Sequence, residues 1–407
     1  MLIQNMLRNS LFNNLYKFNK KIIDKLYFEL SYFFYSLRAP FYELKFKKEL
    51  KIRSNLNLTQ VEYLAKNLPN IKTRELYLWN EFHGNAAVIK KYSQLPSEYK
   101  IKAVIEHAPK INDDCVEDEL VAPLPAILYP SKRRYTILQK STNKQLYQIG
   151  PTIAYAPDYY DKNQHQEEKK RLGKTLLVFP THSATWSKAK YDIHSFCKRI
   201  KDIGKDFKTI RICVYWMDII LYQTHKIYEK YGFECVTAGH LLDPLFLSHL
   251  RSIIKSADLA ISNNYGSQVL YSVFLGVPHY FFKDESIQYT VPKGHKERQE
   301  NFFYNNPDGQ KIYKAFKTLK NDITQEQNDL VDYYLGTNAV KSVKEMQNIL
   351  NETEGLYQAG NYPKYNRKTA SVFRWKRKRL SLTLSLLFRK IKKYFRSYCL
   401  QNKLNFN

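Results

Sequence analysis

Lys255–Asp284 reads KSADLAISNNYGSQVLYSVFLGVPHYFFKD, and this stretch decides the fold. Asp258–Ser262 is a short apolar run, long enough for a buried strand and too short for a helix. Asn263-Asn264-Tyr265-Gly266-Ser267 is polar and turn-forming. Gln268–Leu275 has helical spacing, and Gly276 can close that helix just past its end. Val277–Phe282 is a second apolar run, with Pro278 near its start, where a strand accepts one. The order is strand, turn, helix, strand, so the turn falls at the carboxyl edge of a parallel sheet, where open α/β folds bind ligands. Gly266 and Ser267 then stand at a helix N-terminus, which suits a phosphate. An ordinary β-α-β unit with a hydrogen-bonded turn satisfies the same spacing, and spacing alone does not choose between them.

The same alternation continues upstream. Thr175–Phe179, Ile210–Trp216 and Phe233–Thr237 read as strands, separated by helices at Ile193–Phe207 and Ile219–Tyr231. Asp243 and Pro244 suit the cap and first position of a helix reaching about Ser256. Together these give a doubly wound domain over 173–354, with trailing helices in Ile312–Leu350. Residues 56–157 read as a first α/β domain, with strands at Leu76–Trp79, Ile101–Glu106, Ala126–Tyr129 and Gln145–Ile149 and a helix over His83–Leu95. Residues 158–172 are charged and polar without apolar periodicity, and read as a linker or flexible loop.

The net charge of +27 sits at the two ends. Residues 1–55 carry +7 and residues 355–407 carry +14 with no acidic residue, against +6 for everything between. A nearly neutral body with basic ends argues against a nucleic-acid-binding core and for ends that meet an anionic surface. In 1–55, Leu15, Phe18, Ile22, Leu26 and Leu30 share one helix face, which fits a helix packed on its own domain or one lying on a membrane. Residues 355–407 combine Trp375, several Phe and basic clusters, a polybasic amphipathic pattern for anionic lipid, with nucleic acid as the alternative. No apolar run reaches the ~18 residues of a spanning helix, and no secretory signal is recognisable. The five cysteines show no CxxC spacing, which fits a reducing compartment.

Polar residues cluster at the expected strand ends. The second domain offers Thr181, His182, Ser183, Gly239, His240, Asn263, Asn264, Gly266, Ser267 and Gln268 for a nucleotide diphosphate. The first offers His83, Glu106 and His107, any of which could take a proton from an acceptor hydroxyl. A lone histidine at such a position is as readily structural. The acidic run Asp113–Glu119 reads as a solvated loop rather than a metal site. Neither G-x-G-x-x-G nor G-x-x-x-x-G-K-[ST] occurs, which disfavours NAD and P-loop chemistry.

At these positions the chain resembles a family. SADLAISNNYGSQVLYSVFLGVPHYFF, with FHGNAAVIKKY at Phe82–Tyr92, Ile105–His107, Gln148–Pro151, FPTHSATW and TAGHLLDPLFL, is similar to GT-B-fold glycosyltransferases of bacterial capsule and lipopolysaccharide synthesis. The resemblance covers roughly Leu56–Asp284. It departs from the pattern in carrying Ala108 after Glu106-His107, and in lacking a glutamate pair between Asn264 and Asp284.

The resemblance implies two Rossmann-like domains, with a nucleotide-sugar held by the second and the acceptor by the first. It places Ser267 and its neighbours at the diphosphate, Gly239 and His240 in the nucleotide pocket, and His107 near the acceptor. It implies no cofactor beyond the nucleotide-sugar and, with no D-x-D motif present, no metal. The expected partners are a lipid-linked or polymeric glycan and the inner face of the cytoplasmic membrane. A polyol-phosphate transferase of teichoic-acid type and a non-catalytic nucleic-acid-binding scaffold are the alternatives.

Overall fold

The structure is a computed structural model that describes residues 43–68, 75–107, 109–184, 187–290 and 302–362. Residues 1–42 of the basic N-terminal extension, Ala108, and residues 363–407 of the polybasic tail lie outside the described residues. The chain divides into two compact units, Met1–Asn55 with Leu68–Lys72, and Leu56–Asn67 with Thr73–Asn407. In the first unit, residues 43–53 are helical, and Arg53 Nε donates to Glu49 Oε1 one turn back at 2.9 Å.

The second unit holds two parallel sheets. The first is β1 (Ala103–Ile105), β2 (Ala126–Tyr129) and β3 (Gln145–Gln148), paired in chain order. The rest follow as β4 (Thr175–Phe179), β5 (Lys188–Lys190), β6 (Thr209–Cys213), β7 (Glu234–Val236), β8 (Leu259–Ser262), β9 (His279–Phe281) and β10 (Gln288–Thr290). Five of these form the second sheet in the order β7-β6-β4-β8-β9, while β5 and β10 pair as a separate antiparallel ribbon. β1, β2, β4 and β8 are buried along their whole length, as continuous apolar runs covered on both faces should be. The chain runs outward from β4 to β6 and β7, then crosses to β8 on the other side. The order therefore reverses between β4 and β8, and in such sheets the crevice for a ligand opens at that point.

Four differences from the sequence-based expectations have physical causes. Leu76–Trp79 is not a strand, because the Asn80 carboxamide takes the place of one. It donates to Ala103 O and accepts from Ile105 N, both at 2.8 Å, along β1. The stretch expected to be a linker contains the helix Lys162–Leu172, started by a capping box in which Asp161 accepts from Gln164 N and Gln164 returns a bond to Asp161 N. The helix expected over Ile219–Tyr231 is broken at Gln223, whose φ of 54° lies in the left-handed region, and resumes over His225–Lys230. The ribbon of β5 and β10 was not foreseen, since both strands are short and polar.

The trailing helices also distribute unexpectedly. Helix Val343–Ala359, grouped by sequence with the second domain, returns to the first sheet's neighbourhood. Gln347 Nε2 donates to Ser93 O at 2.9 Å, and Tyr99 Oη to Glu354 Oε2 at 3.1 Å. In the other direction, Leu58 O and Leu64 O accept from Thr237 N and His240 N, beyond β7. Buried side chains from both sheets, among them Ile105, Leu128, Leu177 and Phe281, belong to one apolar cluster completed by Phe316, Tyr334 and Leu350.

Candidate functional site

The turn after β8 is tied to the turn after β4. β4 and β8 are paired neighbours, with Phe179 opposite Ser262. Thr181 N donates to Asn263 Oδ1 at 2.7 Å, and Asn263 Nδ2 donates to Asp284 Oδ2 at 2.9 Å. Asn264 Nδ2 donates to Thr181 Oγ1 at 3.2 Å and to Tyr289 Oη, on β10, at 2.6 Å. These bonds hold both strand ends rigidly at the sheet's reversal point. Gly266 is extended, and no side chain caps the helix Ser267–Phe274 that it precedes. Gln268 Nε2 reaches back to Asn264 O at 3.4 Å, so its carboxamide lies over the turn.

His83 and His107 come from the first half and stack on each other, with ring centroids 5.0 Å apart and planes 20° apart. His107 follows β1. His83 lies in a short 3-10 segment with φ 55°, uncommon for a residue with a side chain. Its conformation is held from across the unit: His83 N donates to Leu241 O at 2.7 Å, and its ring centroid lies 4.5 Å from that of Phe246. Gly84, at φ 73°, approaches so closely that a Cβ there would stand 2.6 Å from Pro244 O. Trp79 and Phe82 ring the pair, 6.1 and 5.8 Å from His107.

Both imidazoles are held neutral at pH 7. Burial pushes His107 down to about 4, with Lys110 adding to the shift. Burial also drives His83 well below its ordinary value, helped by the neighbouring His107 and by His182 of the second half. His107 Nδ1 is buried and makes no hydrogen bond among the described residues. His182 donates from Nδ1 to Ser183 O at 3.0 Å, and its ring packs on Tyr215 at 4.2 Å. The carboxyl ends of β1, β4 and β7 thus converge on three histidines.

Other candidates have more local duties. Glu106 is buried, and its Oε1 accepts from Arg134 Nε and Nη2 at 2.8 and 2.5 Å and lies 3.3 Å from Lys110. In the acidic run, Glu119 accepts from His107 N and Lys110 Nζ, and Asp113 pairs with Arg133. Among the described residues no group of three or more His, Cys, Asp and Glu side chains is placed to hold a metal ion. Gly239, at φ 96°, turns the chain after β7, and a Cβ there would meet Asp243 Oδ2 at 3.2 Å. His240 is buried against Trp216 at 4.2 Å, and its Nδ1 accepts from Leu242 N. This pair therefore fastens a loop. Ser183 is buried, with N donating to Asp218 Oδ2 at 3.0 Å and Oγ accepting from Ala189 N at 3.1 Å.

Sequence reasoning missed Tyr215, Asp218 and Tyr289. Tyr215 lies inside the expected strand Ile210–Trp216 and Asp218 just ahead of the helix expected from Ile219, so neither reads as a strand-end polar group, and Tyr289 arrives on the unforeseen ribbon. A cavity of about 230 Å³ lies among Thr181, His182, Tyr215 and Asp218.

No protein-family model matches the chain, and neither does any curated protein. Solved structures resemble it weakly. The wall teichoic acid polymerase TagF is 14% identical with a TM-score of 0.36, over 65% of this chain and 70% of that one. A GtfA/B complex is 14% identical at a TM-score of 0.28, over 66% and 55%. A glycosyl transferase of family 9 from Veillonella parvula is 13% identical at 0.24, over 58% and 74%. At these scores the likeness carries no argument about activity.

Proposed function

We propose that the chain is a glycosyltransferase that moves a sugar from a nucleotide-sugar to a hydroxyl of a lipid-linked or polymeric surface glycan, as in capsule or lipopolysaccharide synthesis. One observation carries the reading: the stacked pair His83 and His107 lies near enough to His182, which follows β4 beside the bonded turn of Thr181, Asn263 and Asn264, for His182 to lower His83 further. The sequence resemblance supports the same division of labour.

In this reading the diphosphate lies against the amides that open the helix Ser267–Phe274, and no cofactor other than the nucleotide-sugar is needed. His107 takes the proton of the acceptor hydroxyl. The acceptor oxygen then bonds to the anomeric carbon as the carbon–oxygen bond to the phosphate breaks, and the nucleoside diphosphate leaves. Helix amides stabilise the charge that develops on it. His83 supports His107 by stacking. Glu106, engaged by Arg134, holds the end of β1 rather than moving the proton.

A panel of nucleotide-sugars with glycan acceptors tests this. Release of nucleoside diphosphate with a phosphorus-free glycosylated product is expected. A product that gains phosphorus moves the assignment to polyol-phosphate transfer, and absence of turnover with every donor and acceptor overturns it. The basic ends would place the enzyme on the cytoplasmic face of the membrane. No helix among the described residues is long and apolar enough to cross it. Removing residues 363–407 should shift the protein from vesicles of anionic lipid into the supernatant, and unchanged sedimentation refutes that role.

A further inference from the structure

The acidic run Asp113–Glu119 reads in sequence as a solvated loop, and Asp113, Asp114 and Glu117 are indeed exposed. Glu119 departs from that pattern. It lies on the four-residue helix Glu117–Leu120 and is only 1% exposed. Both of its carboxylate oxygens are engaged. Oε1 accepts from the backbone N of His107 at 3.1 Å, and Oε2 accepts from Lys110 Nζ at 2.7 Å. Lys110 Nζ also stands 3.3 Å from Glu106 Oε1, which Arg134 engages as well. Two carboxylates and two cations thus close into one buried cluster just past the end of β1.

A buried ion pair is a weak source of stability, because an apolar pair of similar size often serves as well or better. What the Lys110–Glu119 pair adds is a fixed acceptor for the amide of His107. The His107 ring is held separately, stacked on His83, which itself packs on Phe246. Backbone and ring of this residue are therefore fixed by different parts of the fold. A backbone free to pivot would swing the imidazole, and a misplacement of ~1 Å can cost ~10²-fold in rate. We infer that Glu119, kept in place by Lys110, is a positioning residue for His107. The inference rests on the reading of His107 as the base and gives a task to the buried member of the acidic run.

Two double variants of the full chain test it. Both carry Lys110→Met, so that no buried charge is stranded, and Arg134 still pairs with Glu106 in each. The first adds Glu119→Gln, whose carboxamide oxygen can still accept from His107 N. The second adds Glu119→Leu, which cannot. Histidine-selective 15N labelling reports on the ten histidine amides, and the signal of His107 is identified by its loss in His107→Gln. In the second variant that signal should move and its proton exchange faster, while kcat falls ~10–100-fold and KM for the donor is unchanged. In the first, both the signal and kcat should stay near those of the unaltered protein. A purely structural ion pair would affect both variants alike. An unmoved His107 signal in the second variant, or equal kcat in the two, overturns the positioning role and leaves glycosyl transfer standing. The expected signal change in a protein that transfers no sugar from any donor overturns the glycosyltransferase reading and leaves the anchor on His107 in place.

Discussion

At the scale of single residues, this unit uses histidine in two ways, and burial makes both neutral. His107 keeps a buried Nδ1 that makes no hydrogen bond among the described residues. His279 is fully engaged, between Ser262 Oγ at 2.9 Å and Ser272 Oγ at 3.1 Å. General-base catalysis is typically worth ~10²–10⁴-fold. His107→Ala should therefore lower kcat by about that factor with donor affinity retained, as read from initial rates and calorimetry. Because His107 stays neutral down to about pH 4, wild-type kcat should hold on acidification and fall only near that pH. An acid limb near pH 6.5 would exclude it as the base. For His279 the consequence is stability. Its folded value is pushed down to about 3 from 6.5, so below pH 6.5 the unfolded chain takes up a proton that the folded one refuses. Stability therefore falls as pH drops toward 3. At ~1.4 kcal/mol per unit, His279→Gln should shrink the loss between pH 7 and pH 5 by about 2 kcal/mol in urea unfolding.

At the scale of elements, the segment before the first helix shows how a side chain can replace a strand. Asn80 satisfies both a carbonyl and an amide along β1, and it is fully buried. The chain around it is then free to turn and carry Trp79, Phe82 and His83 to the site. Truncation leaves two buried backbone groups unpaired, at about 1–3 kcal/mol each. Asn80→Ala should therefore destabilise by roughly 2–5 kcal/mol, measured by thermal and urea unfolding. It should also lower activity more than stability alone explains, because His107 stands two residues past the end of β1. A loss below about 1 kcal/mol would mean that water replaces the carboxamide. The ribbon of β5 and β10 acts similarly: it brings Tyr289 to Asn264 and Lys188 to the cavity from positions about a hundred residues apart.

At the scale of the whole second unit, the chain laces its two sheets together in both directions. Residues 56–67 bond beyond β7, and residues 341–359 come back beside the first sheet. Tyr155 stands at one such crossing, accepting from Lys341 N at 2.8 Å and donating to Ile149 O. Tyr155→Phe leaves both groups wanting and should cost about 1–3 kcal/mol in urea unfolding. Local solvent exposure, read as faster amide exchange, should be concentrated in Val343–Ala359. Uniform exchange throughout the unit would argue that the hydroxyl has no linking role.

Local pattern determined much of this protein. Strand readings marked all eight strands of the parallel sheets within a few residues, and added Leu76–Trp79, which is not one. The polar stretches at their ends pointed to Thr181, Asn263, Asn264, His83 and His107 as the residues to watch. Charge distribution placed the basicity at the ends. Only the tertiary structure decided which polar residues bond to one another across neighbouring strand ends and which bond within one loop. His240 and Glu106 look like His107 in sequence, yet packing on Trp216 and pairing with Arg134 commit them elsewhere. The same holds for Asn80, Asp218 and Tyr289, whose partners lie far away along the chain. Periodicity reports which face of an element is buried, whereas a hydrogen-bond partner across the fold leaves no local signature in sequence.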